Sequence, residues 1–83
     1  KLLIGENVPE CMHGDLKLEL GGRENLVEAI AYCESCKDYV SREIFEDILE
    51  DTEGHIDFLE TQIDLIGQVG LQNYLQSQMG ELA

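Results

Sequence analysis

Positive charge is scarce in this chain. Five Lys and Arg stand against 18 Asp and Glu in 83 residues, a formal net charge of −13. Beyond Lys37 the only fixed positive charge is Arg42, against eleven of the 18 acids. A surface this acidic repels a phosphate backbone at every approach, so no nucleic acid is expected as a partner. Long apolar runs are missing as well: none approaches the roughly 20 residues that a spanning helix needs, and no membrane partner is expected. Lys1-Leu2-Leu3-Ile4 leads straight into Gly5-Glu6-Asn7, without a secretory leader or an initiator Met, and reads as the start of a processed product or a fragment. Cysteines number three, which fits no disulfide framework and points to a reducing cytoplasm. Cys33 and Cys36 have C-x-x-C spacing but no second pair to complete a zinc site. As neighbours at i and i+3 they read first as small packing residues, with soft-metal or redox roles as the alternative. No nucleophile–base pair, phosphate loop or H-E-x-x-H motif is present, which leaves hydrolase and nucleotide-binding readings unsupported.

What is present is helical periodicity. Asn7 is placed to cap a helix, with Pro9 tolerated in its first turn and Glu10 at the capping-box position. Apolar residues recur at Val8, Met12, Leu16 and Leu20, then at Leu26, Val27, Ile30 and Cys33. Gly21-Gly22 weakens the centre, at up to about 1 kcal/mol each, but the stripe resumes in phase, which predicts one long helix over about 8–36. Cys36-Lys37-Asp38 forms the turn, with Asp38 or Ser41 capping the next helix. From Val40 a second stripe runs through Ile44, Ile48, His55, Leu59, Ile66 and Val69, and acids such as Glu46, Asp57 and Asp64 occupy the other face. This predicts a helix over about 39–69, ended by Gly70. Leu71–Met79, ending before Gly80, reads as a third, short helix or a capping turn. Nothing alternates with period two, so no strand is expected.

The expected fold is therefore all-α: a single domain over residues 1–83 built on a long antiparallel helical hairpin. Two helices of about 29 residues would each be about 43 Å long. A lone pair of that length covers only one side of each apolar stripe, so a second chain is expected to complete a four-helix bundle.

Two polar residues fall on the inner stripes. Glu19 follows Leu16 on the first helix, and His55 stands among Ile48, Thr52 and Leu59 on the second. Each alone reads as a tolerated polar group with a hydrogen-bond partner. Together, facing one dry core, a carboxylate and an imidazole are a donor set for a hard or borderline divalent cation. His13, beside Gly14 and Asp15, reads as exposed.

The stretches "DLKLEL", "YVSREIFEDIL", "EGHIDFLETQIDLI" and "GLQNYLQ" resemble the second half of a bacterioferritin subunit, from about Ile4 to Gln78 without a gap. The resemblance implies half of a ferritin-like bundle, namely the third, fourth and short fifth helices. Di-iron proteins of that kind draw one Glu from each of two helices and a Glu-x-x-His from each of the other two. Glu19 matches the glutamate of the third helix and His55 the histidine of the fourth. The implied activity is Fe(II) oxidation and storage of the ferric mineral inside a shell of many subunits. Asn73 and Gln76 match polar pore-lining positions.

Two departures qualify this. Thr52 stands where the family's bridging glutamate belongs, and Glu53, about 100° round the helix, cannot replace it. The haem-binding methionine has no match in Met12 or Met79, so haem is not expected. The missing ligands would come from a complementary N-terminal half, or from a second copy of this chain related by two-fold symmetry. Three readings result: a half-site for iron (or another divalent metal) in an iron-storage protein, a self-associating bundle dimer that binds metal without turnover, and a structural acidic interaction module.

Overall fold

The computed structural model describes the backbone of residues 4–82 and the side chains of residues 7–79. Three helices follow one another: α1 (Ile4–Ser35), α2 (Tyr39–Val69) and α3 (Leu71–Leu82). No strand occurs among the described residues. α1 and α2 pack as a long antiparallel hairpin, and the whole measures 51 × 26 × 23 Å.

α1 runs unbroken through Gly21 and Gly22, because packing along α2 outweighs a local propensity cost of about 1 kcal/mol per glycine. Its start differs from the sequence expectation. Asn7 is not the cap but lies inside the helix, and Pro9 occupies the second turn. The proline lacks an N–H and so deprives the carbonyl of Gly5 of its helical partner.

The turn between the long helices is built from backbone hydrogen bonds. The Asp38 N–H donates to the Cys33 carbonyl at 2.8 Å, and the Lys37 N–H to the Glu34 carbonyl at 3.1 Å. This is the paired closure of a Schellman motif, with Lys37 at φ 62° where glycine is usual. Asp38 then caps α2 by accepting a hydrogen bond from the Ser41 N–H at 3.1 Å. Arg42 braces the same corner: its guanidinium is 3.2 Å from Glu34 of α1, 3.9 Å from Glu46, and 5.0 Å from the Tyr39 ring centroid.

α2 stops at Gly70, whose φ of 86° and ψ of 152° lie in a region that only glycine enters freely. Its N–H still reaches the Ile66 carbonyl at 2.8 Å, and the Asn73 amide donates to the Val69 carbonyl at 2.8 Å. α3 turns back against α2, anchored by Tyr74, which is buried and donates its hydroxyl to Gln62 at 2.8 Å. α3 extends past Met79 to Leu82, so Gly80 does not end it.

Among the described residues the buried hydrophobic ones are Cys33, Ile56, Leu59 and Tyr74, and none of their side chains is completely buried. Large apolar side chains stay in solvent on both long helices: Leu18 and Val27 on α1, and Val40, Ile44, Ile48 and Phe58 on α2. Fully burying each of these would contribute about 1.5–3 kcal/mol. A two-helix layer cannot do it, because each helix has one neighbour and a stripe wide enough for two. No helix among the described residues is long and apolar enough to cross a membrane.

Candidate metal centre

The turn fixes the register of the hairpin, and the register decides which residues meet. Glu19 and His55 are 36 residues apart, with Lys37 midway between them. An antiparallel pair folded about Lys37 therefore brings them level. The Glu19 carboxylate Oε2 lies 2.8 Å from the His55 Nδ1, a hydrogen bond across the helix interface. Both residues thus leave their own helices towards the same point, as the apolar stripes on either side of them require.

Their surroundings differ from the expected dry interior. The Glu19 side chain is 31% exposed and the His55 side chain 50% exposed. The hairpin supplies two walls of a bundle, and the ring of His55 looks out through the side that has none.

The donor chemistry suits a divalent cation, and the spacing is close to what one needs. A metal about 2.0–2.2 Å from each donor, with tetrahedral angles, would hold them about 3.4 Å apart. The present gap opens to that by a small side-chain rotation, which exposure permits. Two donors do not complete a coordination shell, and no group of three His, Cys, Asp or Glu able to hold a metal occurs among the described residues. Thr52, one turn before His55, is half-buried and carries a hydroxyl, which is neutral. Glu53 is engaged elsewhere, 3.2 Å from the Arg23 guanidinium, so its carboxylate bridges the helices away from the pair.

That Arg23–Glu53 bridge is absent from any reading of single-helix patterns. It follows from the hairpin register, since the two residues stand at nearly equal distances from Lys37. Both groups are about half exposed, and such pairs contribute at most about 1 kcal/mol. The remaining residues singled out by the sequence lie apart from the pair. His13 is exposed beside Pro9 and Ile63. Met12 is half-buried, Met79 is exposed, and Gln76 is exposed on α3. Asn73 spends its amide on the end of α2. The cysteines are free, Cys33 buried and Cys11 and Cys36 exposed.

Comparison with known proteins bears directly on this arrangement. The Ferritin-like domain family matches residues 1–69. The bacterioferritin of Brucella melitensis is 47% identical over 75 residues, covering 90% of this chain and 47% of that protein. A bacterial ferritin of Pseudomonas aeruginosa is 51% identical over 76 residues, covering 90% of this chain and 49% of its own length. A bacterial ferritin of Synechocystis is 51% identical over 77 residues, with 92% and 49% covered. The chain spans about half the length of these curated relatives. A helical hairpin that sets a glutamate against a histidine, matched by that family over most of its length, belongs to the ferritin-like domain family.

Proposed function

We propose that this chain is the part of a bacterioferritin-type iron-storage protein that contributes one half of a di-iron centre, with Glu19 and His55 as its metal ligands. The observation that carries the reading is the meeting of these two side chains across the hairpin at 2.8 Å, in a chain of the ferritin-like family. Fe(II) is the substrate and cargo. The Glu19 carboxylate supplies a hard anionic oxygen, and the His55 imidazole a neutral nitrogen that stays a ligand only while unprotonated. The remaining ligands come from helices outside these 83 residues, in a complementary segment or in another chain. The open apolar stripe of Val40, Ile44, Ile48 and Phe58 supports such a partner layer, which would also exclude water from the pair.

Thr52 favours a second reading. A bridging carboxylate holds two cations at one distance and offsets their mutual repulsion, and a neutral hydroxyl does neither. Two copies of the hairpin, related by a two-fold axis, would close a bundle around two Glu19 and two His55 and bind divalent metal without efficient oxygen chemistry. The −13 net charge then concentrates cations near the protein without any redox step.

Addition of Fe(II) to the full-length protein without oxygen, followed by admission of oxygen, separates the readings. Rapid formation of ferric absorbance that Glu19→Ala and His55→Ala both abolish supports the half-site. Bound but unreacted Fe(II) in a particle the size of a dimer supports the second reading. No binding at all leaves a structural acidic module.

A further inference from the structure

The turn that joins the two long helices holds a second reactive pair, which the metal centre does not use. Cys33 and Cys36 are both free; the first is 6% exposed and the second stands open to solvent. Residues i and i+3 at a helix end have Cα atoms about 5 Å apart by helix geometry, inside the window of about 4.4–6.8 Å that a disulfide spans, while their Cβ atoms, about 5–6 Å apart on a helix, close to the required 3.5–4.5 Å or so only when that last turn loosens. The Cys36 N–H is still held helically by the Tyr32 carbonyl at 3.1 Å, so the spacing applies here. One hydroxyl attends the exposed sulfur: the Ser35 Oγ lies 3.9 Å away. We propose that Cys36 is a peroxide-sensitive thiol and Cys33 its resolving partner, so that hydrogen peroxide converts the pair into a disulfide within the α1–α2 turn.

Burial sets the order of the two steps. Desolvation pushes the Cys33 thiol up, and the nearby Asp38 and Cys36 add to the effect, so Cys33 stays protonated and shielded while Cys36 meets the oxidant first. The Cys36 thiolate attacks one peroxide oxygen, the O–O bond breaks, hydroxide leaves, and the sulfur becomes a sulfenic acid. Cys33 then loses its proton and attacks that sulfur. The S–O bond breaks, the departing hydroxide takes up the proton as water, and the S–S bond forms. Two thiols lose two electrons and two hydrogens, and one peroxide becomes two waters. Fraying of the last turn of α1 brings Cys33 out for the second step, a motion that helix ends make at low cost. Cys11, though exposed, lies on the far half of α1 with no second thiol at this spacing.

The chemistry needs no iron, so its test is independent of the metal centre. The full-length protein, freed of metal with a chelator, is treated with stoichiometric hydrogen peroxide, alkylated under denaturing conditions and cleaved with trypsin. Cleavage after Arg23 and Lys37 leaves Cys33 and Cys36 on one peptide and Cys11 on another. The expected result is loss of two hydrogens from the Glu24–Lys37 peptide, with neither cysteine alkylated and Cys11 still a thiol. In Cys33→Ser, a dimedone probe should label Cys36 after peroxide; in Cys36→Ser, Cys33 should remain a thiol. Two alkylated thiols in the treated wild-type peptide, or oxidation confined to Cys11, overturns the proposal. The wild-type peptide mass decides even where a variant folds poorly.

Discussion

The Glu19 carboxylate and the His55 imidazole share a 2.8 Å hydrogen bond between α1 and α2, with Lys37 midway between them in sequence. The position of the turn thus decides the composition of the site. A turn displaced by one residue on one side would rotate the pairing by about 100° and separate the two donors.

The role of position 52 is testable by placing a carboxylate there. Thr52→Glu, one turn before His55, is expected to tighten metal binding by no less than the about 10–100-fold that outer-shell partners of metal sites typically contribute. Isothermal titration of Fe(II) or Co(II) under anaerobic conditions checks it. An unchanged affinity would mean that position 52 does not face the cation.

Gly70 ends α2 at a positive φ of 86°, and an added Cβ would meet no neighbour within 4 Å there. The cost of Gly70→Ala is therefore conformational and not steric crowding by packed atoms. A loss of about 1–3 kcal/mol is expected, read as a lower urea midpoint. Helix content in water should remain near that of the parent.

Asp38 carries a pH dependence with a defined sign. Hydrogen bonds from Ser41, side chain first and backbone second, hold its carboxyl below the usual value. A lowered folded-state pKa gives stability that is present above the unfolded value of about 3.9 and lost as pH falls through the folded one. Asp38→Ala should lower the thermal midpoint at neutral pH and flatten its acid limb. Asp38→Asn keeps a capping oxygen and should restore most of the midpoint while leaving that limb flat. Thermal melts from pH 7 down to about pH 2 check both.

Tyr74 is 4% exposed, and its hydroxyl donates to the Gln62 side-chain Oε1 at 2.8 Å. Tyr74→Phe keeps the ring packing and removes the donor, for a loss of about 1 kcal/mol. Faster amide exchange confined to α3 is the expected signature.

Much of the fold was legible in the sequence because it is written in local terms. Helical spacing of apolar residues located both long helices, while the cap of the second stayed open between Asp38 and Ser41 until the structure showed Asp38 accepting from the Ser41 N–H. Asn7 misled because a good capping residue is also compatible with a helix interior, and Pro9 sits in the second turn at the cost of one helical hydrogen bond. Gly80 misled for a related reason: one glycine, at about 1 kcal/mol, costs too little by itself to stop a helix. At the site, the pairing of Glu19 with His55 followed from two stripes and one turn. Their exposure did not, since helical spacing gives the face on which a residue lies and not what covers that face. The Arg23–Glu53 bridge needed the register, which no single-helix pattern carries.

The central claim is that Glu19 and His55 bind the same cation. Native mass spectrometry of the full-length protein after Fe(II) or Zn(II) loading, with bound metal counted per chain, tests it most directly. The account predicts that Glu19→Ala and His55→Ala each lower the count at equal metal concentration, and that the double variant loses no more than the worse single one. Counts unchanged in both single variants would contradict it.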